Sequence, residues 1–303
     1  MALGIADVAV GTWTAPSGVS GCTVVLPPAG TVGAIAVRGS APGTREAAAL
    51  GAMGKVEACH GVVLAGGSAF GLAAADGVVA WLEEQGRGFP VPGAVVPIVG
   101  AAIVLDAAVA DPPSRPGPAA GLAACEVADV REAAEGRTGV GAGCTVATVA
   151  GLAHARPSGQ GIAVRRAGGV TVGALVANNA LGEVIAEDGT WIARADVEEG
   201  APRFPEVDPF GAGPPAGGPT TNTVIGCIVT DARLSKRDAA RVADLGHSGV
   251  ARAVRPAHTE ADGDALFCLA TGRVEASVDL VAHLAAEAVA EACRRGPLLA
   301  ARP

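Results

Sequence analysis

Few side chains in this sequence have the types and spacing that chemistry needs. The five histidines, His60, His154, His247, His258 and His283, fall at no HExxH or HxH spacing. They give a zinc site nothing sequential to stand on, and each reads as structural or surface. The stretch Gly139-Val140-Gly141-Ala142-Gly143 is followed by Cys144-Thr145, without the Lys-Ser/Thr of a phosphate-binding loop or the third glycine of a dinucleotide fold. Gly66-Gly67-Ser68-Ala69-Phe70 approaches a nucleophile elbow, but Phe70 stands where the elbow needs glycine, so Ser68 reads as a turn or helix-capping serine. Asp262-Gly263-Asp264 lacks the further acidic positions of a calcium loop and reads by itself as a turn. Thr223, at the head of an apolar run, is by itself what strand propensity predicts. What sets it apart is context: a Pro/Gly-rich segment, then Asn222-Thr223, then a buried-strand pattern, with the Asp-Gly-Asp downstream.

The elements that must position these residues are read from periodicity. Cys22–Leu26 and Val32–Val37 are β-rich, bounded by Gly or Pro, and are expected to pair. A helix is predicted from Arg45 to Cys59, a strand from Gly61 to Leu64, a turn at Gly66-Gly67-Ser68 and a helix from about Ala69 to Gln85. Asp111 to Pro118 reads as a loop. Gly168 to Val176 reads as a strand ending at Asn178-Asn179, which puts Asn179 at a strand end. Between Glu198 and Thr221 lie Pro202, Pro205, Pro209, Pro214, Pro215 and Pro219 among several glycines, a composition that sustains neither helix nor sheet and predicts an exposed linker. Val224 to Val229 follows as a buried strand. Ser235 with Asp238 opens a helix that Gly246 is expected to stop, and a last helix is predicted over Ser277 to Arg295, ended by Gly296-Pro297.

Composition bounds the partners. A chain of 303 residues, 50% hydrophobic but only 3% aromatic and without tyrosine, must build its core from small aliphatic residues with close approaches at some of its 44 glycines. A net charge of -8 and no Lys/Arg block argue against nucleic acid and anionic lipid, leaving small molecules or copies of the chain itself. Seven cysteines without a CxxC pair predict reduced, mostly buried thiols in a cytoplasmic protein. The N-terminus shows no secretion signal, and the apolar runs fall short of a membrane span.

Several long stretches together resemble the self-processing β-aminopeptidases of the DmpA and BapA kind, a family that includes nylon-oligomer hydrolase. They are Gly21 to Pro28, Arg38 to Glu46, Leu64 to Gly77 and Val172 to Val176, and the resemblance runs over nearly the whole chain. Asn222-Thr223, Val229-Thr230-Asp231-Ala232 and Arg255-Pro256-Ala257-His258-Thr259 are most similar to the nylon-hydrolase branch, where threonine replaces the serine of other members. The resemblance implies a four-layer αββα sandwich, cleavage between Asn222 and Thr223 into subunits 1–222 and 223–303, and an oligomer of such heterodimers. It implies Thr223 as nucleophile, Asn179 near the reacting carbonyl, and Asp262 and Asp264 as the acidic pair that orients nucleophile and amine. The substrate would be a small peptide or oligoamide, and no cofactor or metal is implied.

That inheritance is chemically coherent. A threonine hydroxyl attacks an amide only once its proton is removed, and a freed α-amine with a pKa of about 8 can remove it. An Asn179 N–H on the oxyanion would contribute about 3–4 kcal/mol. Two positions depart from the family. Thr148 stands where relatives carry a lysine, the chain's only lysines being Lys55 and Lys236, and Leu105 replaces a Tyr or Phe before Asp106. A missing ammonium would raise the pKa of the nucleophile system and slow maturation or turnover. The alternative reading is therefore a non-catalytic or weakly active homologue serving as an oligomeric binding protein; an acyltransferase is a third.

Overall fold

Short β-branched runs separated by Gly and Pro form two five-stranded sheets in the computed structural model, which describes residues 2–206 and 222–301. In chain order the strands of these two sheets are β1 (Ala9–Thr14), β2 (Gly21–Leu26), β3 (Val32–Val37), β4 (Thr44–Arg45), β5 (Gly61–Ala65), β6 (Val99–Ile103), β7 (Gln160–Ala167), β8 (Val170–Asn179), β9 (Thr223–Ala232) and β10 (Ala265–Val274). The helices are α1 (Ala47–Leu50), α2 (Ala74–Glu84), α3 (Pro118–Glu126), α4 (Lys236–Ala253) and α5 (Val278–Ala300). The first sheet runs β1-β2-β5-β6-β4 and the second β7-β8-β9-β10-β3. Each is mixed: β5 pairs β6 in parallel and β9 pairs β10 in parallel, while the other neighbours are antiparallel. A parallel pair needs a long crossover, which α2 supplies in the first sheet and α4 in the second.

Three apolar clusters separate four layers. Val24, Val63 and Ala101 of the first sheet pack with Ala74, Val78 and Leu82 of α2 and Ala124 of α3. Val25 and Leu64 meet Leu175, Ile225 and Phe267 between the sheets. Val176, Ile228 and Leu266 pack with Val242 and Val250 of α4 and Leu284 and Val289 of α5. The order is helix, sheet, sheet, helix, the expected αββα sandwich. All seven cysteines are free and buried, and burial pushes the Cys22 and Cys268 thiols up to about 12. Among the described residues no helix is long and apolar enough to cross a membrane.

Five local expectations are corrected. Residues 22–26 and 32–37 do not pair: β2 is flanked by β1 and β5, while β3 edges the other sheet against β10. Pro27 and Pro28 lie between them and cannot donate to a hairpin ladder. The helix expected over Arg45 to Cys59 is confined to Ala47–Leu50. Gly51 and Gly54 follow it, and the Lys236 ammonium takes the Ala49 carbonyl at 2.8 Å and the Val56 carbonyl as well, giving that loop partners a helix would have supplied internally.

Gly246 does not stop α4, which continues to Ala253. A Cβ there would meet Ile228 Cδ1 at 2.6 Å, so the glycine serves close packing of helix on sheet. Nor do Gly296-Pro297 end α5, which carries Pro297 within it. Proline has no N–H for the carbonyl four residues back, that of Cys293, and the buried Asn178 side chain donates to it instead at 2.9 Å. The strand predicted from Gly168 begins at Val170, because Gly168 and Gly169, both at positive φ, form the two-residue turn joining β7 to β8. Residues 198–206 contain no helix or strand, as the linker reading requires, and the rest of that linker, 207–221, lies outside the described residues.

The Asn178–Cys293 bond gives a stability test. Asn178→Ala is expected to cost about 1–3 kcal/mol by orphaning the carbonyl. In a Pro297→Ala background, where the substituted residue would restore the helical N–H, the cost should be much smaller; strictly additive denaturation midpoints would refute this account.

Candidate active site

The register of β8 and β9 sets Asn179 opposite Thr223, at the end of one strand and the start of the other. The parallel pairing of β9 with β10 continues past the sheet into a bridge between Asn222 and Asp262. Thr223, Asn222, Asn179, Asp262 and Asp264 are thereby gathered at one edge of the second sheet, each at most 4% exposed. The Thr223 hydroxyl donates to the Asn222 carbonyl oxygen, the oxygen of its own peptide bond, and the Gly263 N–H donates to the same oxygen at 3.2 Å.

The acidic pair is held from three sides. Asp262 Oδ2 accepts from the Thr259 N–H and hydroxyl, both at 2.7 Å. Asp264 Oδ1 accepts from the Val224 N–H at 2.6 Å, and its Oδ2 lies 2.6 Å from His258 Nδ1. The backbone of 38–41 closes the third side. Arg38 and Gly39 N–H donate to the Asp264 carbonyl, and Ala41 N–H donates to that of Asp262. Asn179 is oriented by main chain: Oδ1 accepts from Thr145 N–H at 2.9 Å and Nδ2 donates to the Leu105 carbonyl at 3.1 Å.

Two residues that sequence reasoning underrated lie in this cluster. Thr148, buried, donates its hydroxyl to Asn222 Oδ1 and so touches the residue before the junction. His258, read as structural or surface, pairs with Asp264; its stretch Arg255 to Thr259 stands out in the sequence only for resemblance. Asp106, by contrast, is taken up by Ser20 Oγ, Gly67 N–H and Ala108 N–H and ties the end of β6 to the following turn. Lys236, anchored to the Ala49 and Val56 carbonyls, gives the cluster no ammonium. Among the described residues no group of three or more His, Cys, Asp or Glu is arranged to hold a metal ion.

Electrostatics follow from burial. Asp262 is pushed up to about 6, first by loss of solvent and then by the neighbouring Asp264 charge. Burial pulls His258 down, but the hydrogen bond and charge of Asp264, the His247 carbonyl and Asp262 outweigh it, so its pKa lies above the ordinary histidine value. His247, buried with its Nε2 donating to the Ala36 carbonyl, is pushed down to about 4, chiefly by burial, and is neutral.

The profile of Peptidase family S58 matches residues 3–302. The chain belongs to that family. An uncharacterized aminopeptidase of Mycobacterium tuberculosis is 45% identical over 263 residues, covering 84% of this chain and 74% of the relative. A 6-aminohexanoate-oligomer endohydrolase of Paenarthrobacter ureafaciens is 33% identical over 275 residues, 88% and 74% of the two chains. The S58 chain thus stands nearer to the mycobacterial aminopeptidases than to the nylon-oligomer enzymes, which revises the expected nylon-hydrolase affiliation. A Burkholderia β-aminopeptidase structure superposes with a TM-score of 0.72 at 20% identity, over 96% of this chain and 84% of that one. The L-aminopeptidase D-Ala-esterase/amidase of Ochrobactrum anthropi, described as a variant of the Ntn hydrolase fold, gives 0.70 at 19% over the same shares. The fold is therefore that Ntn-hydrolase variant, two mixed sheets flanked by helices.

Asp262 supplies a pH test in a Thr223→Ala chain. The unfolded chain releases this proton near the ordinary aspartate value, the folded one at about 6, so the stabilising effect is full below the ordinary value and is lost as pH rises through about 6. Asp262→Asn keeps an acceptor for Thr259 and should raise stability by about 1–3 kcal/mol above that pH, with little change well below it. Chemical denaturation at two pH values decides; an equal shift at both would contradict the assignment.

Proposed function

We propose that this S58 chain is a self-processing amide hydrolase that cleaves itself between Asn222 and Thr223 into subunits 1–222 and 223–303 and then acts through an acyl-Thr223 intermediate. The observation that carries this reading is the Thr223 hydroxyl against the carbonyl of its own Asn222–Thr223 peptide, an oxygen also engaged by Gly263 N–H. Attack of Oγ on the Asn222 carbonyl carbon breaks the C–N bond, and the hydroxyl proton ends on the Thr223 nitrogen. Water then hydrolyses the resulting ester, leaving an Asn222 carboxylate, a free hydroxyl and a free α-amine. The Gly263 N–H, fixed on the oxygen beforehand, stabilises the charge that develops there without reorganisation.

The freed amine next to Oγ is the general base for the second reaction, its pKa of about 8 leaving an appreciable neutral fraction at pH 7. An incoming amide is attacked by Oγ, the acyl group passes to Thr223, the amine product leaves with a proton, and water releases the acid. Asn179 is assigned to the acyl oxygen, and Asp262 and Asp264 to holding and aligning the amine. Amides of short peptides or aliphatic oligoamides are the substrate class, in keeping with relatives named aminopeptidase and 6-aminohexanoate-oligomer endohydrolase. The working form is a homo-oligomer of processed heterodimers.

Thr148 enters as a clamp on the precursor. In place of the expected lysine, its hydroxyl fixes the Asn222 side chain, and with it the acyl side of the scissile bond. Intact mass and N-terminal sequencing after incubation should find a small fragment beginning at Thr223, and none in Thr223→Ala. Thr148→Val, which keeps shape and loses the hydroxyl, should slow the cut by about tenfold. A wild-type chain that stays whole would favour the non-catalytic reading, and a fragment starting elsewhere would remove Thr223 as nucleophile.

A further inference from the structure

A buried pair of carboxylates needs a nearby cation if either is to ionise at modest cost, and the lysine expected for this purpose is absent. His258 stands in the right place. Its backbone is left-handed, φ +59°, which turns the ring back onto Asp264 six residues on. Nδ1 lies 2.6 Å from Asp264 Oδ2 and Nε2 lies 3.3 Å from the His247 carbonyl.

An ionised carboxylate and a carbonyl only accept hydrogen bonds, and a neutral imidazole has one N–H to give. One of the two contacts would then set a ring lone pair against an oxygen lone pair. The imidazolium satisfies both. The surroundings agree: Asp264 and Asp262 face the ring from its own segment, and the neutral His247 of α4 meets it edge to face at 4.9 Å. Arg38, the nearby guanidinium, is committed to Asp244 of α4 through Nε at 2.8 Å.

The other oxygen of Asp264 accepts the N–H of Val224, next in the chain after Thr223. We propose that His258, held as an imidazolium, is a positioning residue of this site: its Nδ1–H anchors one oxygen of Asp264, aims the other at the Val224 N–H, and so fixes the Thr223–Val224 peptide at the head of β9. The inference rests on the reading of Thr223 as nucleophile. The cation of the site thus comes from the small-subunit loop that carries the acidic pair and can be lost by deprotonation, which a lysine would resist at the same pH. The Thr223 amine governs the acid side of the activity profile, and His258 governs the alkaline side.

Two measurements separate this inference from the reading beneath it. Nitrogen NMR of the histidine rings in the uncut Thr223→Ala chain should find both His258 nitrogens protonated at neutral pH, with a midpoint above that of an ordinary histidine; a neutral His258 there overturns the proposal whether or not the wild type is an enzyme. In the active chain, His258→Asn, a residue that tolerates left-handed backbone, should slow cleavage and turnover by about tenfold and abolish the alkaline fall. His258→Lys should recover part of the rate and stay level where the wild type declines. Equal rates and unaltered pH profiles in both variants would overturn the positioning role. A protonated His258 in a wild-type chain that never cleaves would instead sink the nucleophile reading, and with it that role.

Discussion

Parallel pairing of β9 with β10 is the constraint on which the candidate site depends. Parallel strands begin at the same edge, so the residues entering β9 and those entering β10 must lie side by side although some 40 positions separate them in the chain. Asn222 and Thr223 enter one, Asp262, Gly263 and Asp264 the other, and the ladder is extended by the Asn222–Asp262 bridge and the Gly263 N–H on the Asn222 carbonyl. The long crossover this demands is α4, and α4 must be covered by α5. Gly246 within α4 permits the close approach to Ile228 that keeps β9 pressed between the layers. On the other side, antiparallel β8 ends where β9 begins, which brings Asn179 to the same edge.

Placing carboxylates at such an edge is costly, because both are almost wholly buried. The site answers with donors rather than solvent. Thr259 gives two hydrogen bonds to Asp262, and Val224 and His258 share Asp264 between them. Backbone N–H groups of 38–41 hold the carbonyls of the same two residues, fixing the turn itself. Gly39 in this segment has a local reason, because a Cβ there would meet the Asp262 carbonyl oxygen at 2.2 Å. Residues 38–41 lie on the back of the Asp-Gly-Asp turn.

Much of this was legible from the chain and some was not, for identifiable reasons. β5, β8, β9 and the start of α4 follow from local patterns: a β-branched run bounded by glycine, or a serine cap answered by Asp238. What failed was decided by neighbours distant in sequence. Gly246 and Pro297 read as stops because a lone helix would end there, and the packed helix continues because Ile228 needs the space at one and Asn178 supplies the missing donor at the other. The separation of β2 from β3 hangs on which sheet has room for an edge strand. Thr223, Asn179 and the acidic pair are singled out only by resemblance, since a threonine at a strand head and an Asp-Gly turn are ordinary features. His258 was missed because nothing in one dimension says that a left-handed residue will fold its ring onto a carboxylate six residues later.

The replacement of the expected lysine by Thr148 alters the balance of the uncut junction. An ammonium would have brought charge but no acceptor, and its several donors would compete for the same oxygens. The threonine hydroxyl satisfies Asn222 Oδ1 yet leaves the buried Asn222 Nδ2 without a hydrogen-bond partner among the described residues. A donor so stranded costs about 1–3 kcal/mol. The neighbouring Asp262, with its pKa raised to about 6, is a second unfavourable element of the intact chain near neutral pH. On the proposed reading both act in one direction. Cleavage turns the Asn222 carbonyl into a chain-terminal carboxylate free to turn its side chain toward a partner, and it creates an ammonium beside Asp262. The uncut precursor is thus the less comfortable state of the site, and the relief offered by the cut offsets part of what the lost lysine would have contributed.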